Sequence, residues 1–227
     1  NGIENTKLDE KSYENGNYKI SVDSNGKLIL TGFIYQDNGK EVLNNIKISK
    51  ETKKILDDSL AYFVENGVIS ISDAWKESEN LGVVNNNLNN GQQYGGDIVN
   101  KGIMVSQSIG QQSNWANFKK LENYGLIIVD RGRGDGGAQA FTGGDNSTLL
   151  NYGTILSNGN GQLMTAKSKN GLAYNYGYIY SKSYGQEIQN STNGQAYNFG
   201  IIDSELVGQH IKSDATNGVV KNNGEIN

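Results

Sequence analysis

The residues best suited to molecular recognition form a glycine-rich cluster, Arg131-Gly132-Arg133-Gly134-Asp135-Gly136-Gly137. The two arginines in it are the only arginines of the chain. Arg133, Gly134 and Asp135 form an Arg-Gly-Asp tripeptide, which integrins recognise as a cation and a carboxylate on an exposed turn. We therefore expect these three residues to bind a partner from a projecting loop. The alternative is a chance tripeptide in a glycine-rich surface loop.

Catalytic chemistry has weaker support in the sequence. A polysaccharide-processing enzyme needs carboxylates, or carboxylates with Lys or Arg, that converge on one face. The acidic residues fall instead at positions that differ from repeat to repeat: Asp130, Asp135, Asp145, Asp203 and Glu205. The single histidine, His210, is expected on a solvated turn, with no acidic partner at the equivalent position one repeat away. The sequence contains no Ser/His/Asp grouping, phosphate loop or metal-ligand spacing, so we predict neither an enzyme nor a cofactor.

These residues are held by a chain that repeats the phrase Asn-x-Gly-x-Ile from about residue 66 onwards. The clearest copies begin at Asn100, Asn123, Asn151, Asn175, Asn198 and Asn222. From Gly125 to Gly224 the phrase glycines are 28, 24, 23 and 24 residues apart. Such a period is typical of stacked repeats in which no unit buries its apolar face alone. Because each unit holds three short strand signals separated by turn signals, the repeat predicts a three-sided parallel β-helix over residues 66–227.

Alternation along each strand predicts which side chains face inwards. The last phrase position is aliphatic or Met in every copy, so we expect one interior column: Ile69, Val84, Met104, Ile127, Ile155, Ile179, Ile202 and Ile226. Stacking would also align the phrase asparagines into a hydrogen-bonded ladder at one corner. Positions two, four and six then point outwards.

The outward positions are rich in aromatic residues, which suit contact with a sugar or a protein partner. We therefore expect an adhesive or self-associating patch made of Tyr124, Tyr152, Tyr176, Tyr178 and Tyr180. The alternative is that these aromatic side chains only stabilise the stack, or lie beneath an adjoining segment.

Residues 1–65 are expected to form a small strand and helix cap. A hairpin is predicted from 18–22 and 27–30, which flank the turn signal Asn25-Gly26, and a further extended run from 32–35. A helix is predicted from Ser49 to about Asn66 because an N-cap residue is followed by a helical apolar stripe. Such a helix would protect the open edge of the stack, although an ordinary surface helix explains the pattern as well.

Composition excludes several classes of partner and site. The chain has 227 residues, a net charge of −4 and a pI near 5.1, with its lysines scattered. This charge gives no footprint for nucleic acid, and no apolar run is long enough for direct membrane insertion. Without cysteine there are neither disulfides nor thiolate metal sites. The absence of proline suits long hydrogen-bonded ladders.

The Asn-x-Gly-x-Ile phrases, the Asn- and Gly-rich repeats and the lack of Cys and Pro together resemble the passenger regions of bacterial type V secreted proteins. These are autotransporter adhesins and filamentous-haemagglutinin-like exoproteins, and the chain looks most similar to autotransporters of fusobacterium-type organisms. The resemblance covers residues 66–227 and implies a right-handed β-helix displayed at the bacterial cell surface or outside the cell. It implies an adhesin segment, or the stalk of one, with a host cell-surface protein or glycan as partner. The alternative function is a polysaccharide-processing β-helix enzyme, either a lyase or a glycoside hydrolase.

Overall fold

The computed structural model describes residues 12–15, 18–22, 28–31, 79–80, 83–86, 92–93, 97–106, 108–129 and 136–227. Within these ranges the regular structure consists only of strands. The extended run predicted at 32–35, the helix predicted at 49–66 and Ile69 lie outside the described residues. The predicted boundary at residue 65 stays a prediction.

The N-terminal strands form a three-stranded antiparallel sheet of β1 (Ser12–Asn15), β2 (Tyr18–Val22) and β3 (Leu28–Thr31). Strands β2 and β3 pair from Lys19 with Thr31 to Val22 with Leu28. The predicted hairpin is therefore confirmed.

The repeats form three parallel sheets. Sheet I contains β4 (Glu79–Asn80), β7 (Ile98–Asn100), β10 (Lys120–Asn123), β13 (Thr148–Asn151), β16 (Leu172–Asn175), β19 (Gln195–Asn198) and β22 (Val219–Asn222). Sheet II contains β5 (Val83–Asn86), β8 (Ile103–Ser106), β11 (Leu126–Val129), β14 (Thr154–Ser157), β17 (Tyr178–Ser181), β20 (Ile201–Ser204) and β23 (Glu225–Ile226). Sheet III contains β6 (Gln92–Gln93), β9 (Gln111–Asn114), β12 (Gly137–Thr142), β15 (Asn160–Thr165), β18 (Tyr184–Ile188) and β21 (Val207–Ile211).

The chain visits the three sheets in turn, and each strand pairs in parallel with its equivalent one coil away. Asn151 pairs with Asn123 in sheet I, and Ile155 pairs with Ile127 in sheet II. One repeat therefore makes one coil, and the predicted all-β, three-sided parallel β-helix is confirmed.

The interior column of aliphatic side chains is confirmed for the coils whose side chains are described. Met104, Ile127, Ile155, Ile179 and Ile202 are fully buried in one cluster with Val129 and Ala138. Full burial of each such side chain stabilises the fold by roughly 1.5–3 kcal/mol. Ile226 pairs with Ile202 in the last coil and is 38% exposed, because no described strand covers it.

A second apolar cluster lies between sheets I and III. Its buried members are Ile98, Leu121, Phe141, Leu149, Met164, Ala173, Ile188 and Ala196. The interior therefore contains two apolar clusters, one along sheet II and one between sheets I and III.

The predicted asparagine ladder is confirmed at the corner between sheets I and II. Each side-chain Nδ2 donates to the Oδ1 of the next asparagine at 2.8 Å, in the order Asn100, Asn123, Asn151, Asn175, Asn198 and Asn222. The glycine two residues later is required by the close stacking, since a Cβ on Gly153 would lie 2.2 Å from the carbonyl oxygen of Gly125.

A glutamine ladder, which we did not predict, lies inside sheet III. Gln139, Gln162, Gln186 and Gln209 each donate to the preceding glutamine at 2.7–2.9 Å. Each also donates to a backbone carbonyl of sheet I, as Gln162 does to Tyr174 at 3.1 Å. Buried amides are stable here because their hydrogen bonds are satisfied within the ladder and by the neighbouring sheet.

Candidate binding surface

An aromatic ladder runs along the corner between sheets I and II. Tyr124, Tyr152, Tyr176 and Phe199 occupy the variable position between the phrase Asn and Gly, so the register places them one above another. Their ring centroids are 4.9, 5.1 and 5.1 Å apart and their planes differ by 7–10°. The separation follows the spacing of about 4.8 Å between neighbouring strands.

A shorter aromatic column stands beside it on sheet I. Tyr174 and Tyr197 stack at 5.1 Å, and they lie 6.0 Å from Tyr176 and 6.4 Å from Phe199 respectively. The ammonium group of Lys221 lies 5.8 Å from the centroid of the Tyr197 ring. We name these six aromatic residues the aromatic corner. Three of them, Tyr174, Tyr197 and Phe199, were missed as site residues, although the motif Tyr-Asn-(Tyr/Phe)-Gly signals them in two consecutive coils.

The exposure of the aromatic corner fits a contact surface. Tyr152, Tyr176 and Phe199 are exposed by 43%, 45% and 43%. Since the rings face one another along the rod, each inner ring presents its edge and hydroxyl group to solvent, not a free face. A partner therefore meets a row of ring edges at a fixed spacing.

Lys120, Glu122 and Tyr124 form a small charged network at the N-terminal end of the aromatic corner. The Lys120 Nζ lies 2.7 Å from Glu122, and the Tyr124 hydroxyl donates to Glu122 at 2.6 Å. Burial alone would raise the pKa of Glu122, but the hydrogen bonds from Lys120 and Tyr124 lower it below its usual value. The bond to Glu122 and partial burial raise the pKa of Tyr124 to about 12. The hydroxyl of Tyr124 thus stays protonated near neutral pH.

Tyr178 and Tyr180 lie on the outer side of sheet II and are not part of the stacked aromatic ladder. Tyr180 is only 2% exposed, and its hydroxyl donates to Glu205 at 2.5 Å. Tyr178 is half-buried and donates to Asp203 at 3.2 Å. For both tyrosines burial, followed by the nearby carboxylate, raises the pKa well above its usual value. The structure therefore does not bring them into one exposed patch with the other three predicted tyrosines.

The outward positions on the central strands of sheet II are buried, so the expected contact surface does not extend over them. Leu126, Ile128, Thr154 and Leu156 point away from the interior column, yet each is at most 2% exposed. Strand alternation predicted correctly that these side chains point outwards. An outward side chain can still be buried, so alternation did not predict their exposure.

Arg133, Gly134 and Asp135 lie outside the described residues, so their role stays a prediction. Strand β11 ends at Val129 and β12 begins at Gly137. The extra residues of the 28-residue coil therefore fall between these two strands.

His210 has an acidic partner, contrary to the expectation from the sequence. Glu187 is its register partner one coil away, and the His210 Nδ1 lies 3.4 Å from a Glu187 oxygen. Glu187 is 1% exposed and also accepts a hydrogen bond from Asn160 at 2.7 Å, while His210 stacks on Tyr184 at 4.4 Å. The aligned phrases Gly-Gln-Glu-Ile and Gly-Gln-His-Ile already contained this pairing.

Among the described residues no group of three metal-ligating side chains comes together, and no helix has the length and apolar character to cross a membrane. Comparisons with protein-family models, with curated proteins and with solved structures found no match.

Proposed function

We propose that this protein is a binding and display module, a segment of a bacterial cell-surface adhesin or of its stalk. The observation that carries the proposal is the aromatic corner. It leaves three rings of the stacked ladder more than 40% exposed on a corner held by hydrogen-bonded coils. Exposed aromatic clusters of this kind favour recognition, since they combine apolar area with hydroxyl donors.

The rigidity of the support favours binding as well. Backbone hydrogen bonds join the corner residues to the coil before them, such as Tyr152 N–H to the Asn123 carbonyl at 2.8 Å and Tyr176 N–H to Asn151 at 2.8 Å. Rings fixed in this way lose little conformational entropy when a partner binds. The expected partner is a host cell-surface protein or glycan, and a second copy of the chain is the alternative.

The proposal is tested by binding the full chain to a glycan array and to a panel of extracellular-matrix proteins. The double variant Tyr152→Ala/Tyr176→Ala should weaken binding by about tenfold or more, because it removes the centre of the exposed ladder. The matched control is Leu206→Ala, since Leu206 is 60% exposed between β20 and β21, on a different corner. Unchanged binding by a folded double variant would overturn the proposal.

The Arg-Gly-Asp tripeptide supplies a second, independent contact in this proposal. Asp135→Glu keeps the charge but lengthens the side chain, so integrin-dependent cell attachment should fall. Attachment that is insensitive to this substitution would reduce the tripeptide to a tolerated insertion.

The alternative function remains a polysaccharide-processing enzyme. Its best support is that Asp203, within β20, and Glu205, directly after this strand, each accept a hydrogen bond from a tyrosine hydroxyl. Incubation with acidic and neutral polysaccharides, followed by assays for new reducing ends and for unsaturated products, separates this function from binding alone. Product formation that is lost in Glu205→Gln would favour the enzyme.

A further inference from the structure

The turn from β9 to β10 holds two bulky aromatic residues in a backbone conformation that such residues rarely adopt. Trp115 has a φ of 53° and Phe118 a φ of 56°. In this left-handed region the Cβ crowds the following carbonyl oxygen. Both side chains are largely exposed, Trp115 by 67% and Phe118 by 74%. Burial of the rings therefore does not offset the strain.

The repeat shows which residue this backbone position normally holds. The residue two before the sheet I strand has a φ of 53–56° in the four following coils and is asparagine each time: Asn146, Asn170, Asn193 and Asn217. Asparagine tolerates this conformation, and these side chains form a ladder, as Asn170 donates to Asn146 at 3.1 Å. Phe118 stands where the following coils have asparagine, and its side chain cannot accept a hydrogen bond from the Asn146 amide. A local rule broken without a structural gain points to function.

The backbone of both residues is held by the next coil, and so is the Trp115 ring. The indole of Trp115 lies across Gly143 of the next coil, where an added Cβ would be 2.5 Å from the Trp115 Cε3. Backbone bonds run from Trp115 N–H to the Thr142 carbonyl at 3.0 Å and from Phe118 N–H to Asp145 at 2.8 Å. The turn therefore presents its aromatic surface in a fixed position, with one side of the indole against the coil.

We propose that Trp115 and Phe118 form a carbohydrate-binding platform for a neutral pyranose that has an apolar face of C–H groups. The negative face of an aromatic ring attracts such C–H groups. Asn114 and Asn117 are the chain neighbours of the two aromatic residues, and Asn146 occupies the position of Phe118 in the next coil. All three are exposed, and their amides suit the hydroxyl groups at the sugar rim. Two rings are too small for a stable protein interface, which needs about 800 Å² on each partner.

This inference rests on the proposed function only in treating the β-helix as a binding module. The platform lies at the corner between sheets III and I, whereas the aromatic corner lies between sheets I and II. Sheet I lies between the two corners. Tyr124 lies six positions after Phe118, a distance of about 20 Å for extended chain. An extended oligosaccharide on the platform thus has a path across sheet I towards the aromatic corner.

The test titrates the full chain with cellotetraose and with β-1,4-galactotetraose, using glycerol as the control for hydroxyl groups alone. Trp75→Phe leaves Trp115 as the only tryptophan, so a saturable change in its emission reports occupancy. Calorimetry should show that Trp115→Ala and Phe118→Asn each weaken binding by about tenfold or more. Phe118→Asn should also raise the Tm, since it restores the residue that the other coils use.

Three results of the titrations and the thermal unfolding would overturn the proposal, and a fourth comes from self-association. The first three are no saturable response to either sugar, unchanged affinity in Phe118→Asn, or a lower Tm in Phe118→Asn, which would make the ring a structural element. Concentration-dependent self-association that is lost in Trp115→Ala would assign the platform to a second copy and overturn the sugar assignment. The Tyr152→Ala/Tyr176→Ala variant separates the two hypotheses. It should keep the Trp115 titration even if the proposed role of the aromatic corner fails.

Discussion

Sheets I and II share one corner and one asparagine ladder, but their outer faces differ. Leu172 and Tyr174 on sheet I are partly accessible, and the neighbouring Tyr176 is 45% exposed. On sheet II the outward Leu156 and Tyr180 are at most 2% exposed. Alternation thus separates the inside of a β-helix from its outside, but it does not separate exposed outer faces from covered ones. Sheet I is therefore available to partners where the middle of sheet II is not.

The largest expected effect comes from placing a charge on each outer face. Leu156→Asp should lower the free energy of unfolding by more than about 4 kcal/mol, because it buries an unpaired carboxylate. Leu172→Asp on sheet I should cost at most about 1 kcal/mol, since the new charge stays hydrated. Urea unfolding of the two variants measures the contrast. Equal losses would abolish the distinction between the faces.

The next effect compares two outward tyrosines. Tyr180→Ala should cost about 3–4 kcal/mol, as is typical when a large buried side chain is removed. Tyr176→Ala should cost about 1 kcal/mol, because it loses mainly ring stacking. Thermal unfolding followed by circular dichroism tests both. A larger loss for Tyr176 would mean that the aromatic corner is chiefly structural.

Alkaline pH should weaken the fold chiefly through sheet II, with a smaller contribution from Tyr124, whose pKa is also raised. The raised pKa values of Tyr178 and Tyr180 mean that the folded state favours their protonated forms. Their contribution is complete below the unfolded value of about 10 and is lost as pH rises towards the folded values. The free energy of unfolding should therefore fall above about pH 10.

Variants identify which tyrosines cause this decline. Tyr180→Phe should flatten it, whereas Tyr152→Phe should retain it because both sheet II tyrosines remain. Urea titrations at several values between pH 8 and pH 11 supply the measurement. A slope in Tyr180→Phe that matches the parent protein would exclude this residue as a source.

The smallest effect concerns the ion pair between Lys120 and Glu122 on sheet I, in which only Lys120 is exposed. Lys120→Gln removes the ion pair with Glu122 and should cost less than about 1 kcal/mol, because half of the Lys120 side chain is in solvent. Added salt should reduce the difference between this variant and the parent. A loss of several kcal/mol would show that Glu122 needs both of its partners to remain ionised at this corner.

Parts of the candidate sites could be predicted from particular residues of the sequence. The phrase position of Tyr124, Tyr152 and Tyr176 predicted that they would stack outwards, since identical positions align in a parallel stack. The Glu187–His210 pair was equally available from aligned phrases and was overlooked. Tyr180 could not have been placed from its own strand, because its burial depends on groups distant in sequence. Phe118 became informative only when its φ could be compared with those of the equivalent asparagines.

The sequence by itself determined the β-helical coil, its period, the interior column of aliphatic side chains and the asparagine ladder. These follow from local alternation and from a repeat that brings like residues together. Only the tertiary structure decided which outer face is accessible, which tyrosine hydroxyls meet carboxylates and where the backbone is strained. Those properties depend on the packing of distant segments and on backbone angles, and neither is contained in the pattern of a single repeat.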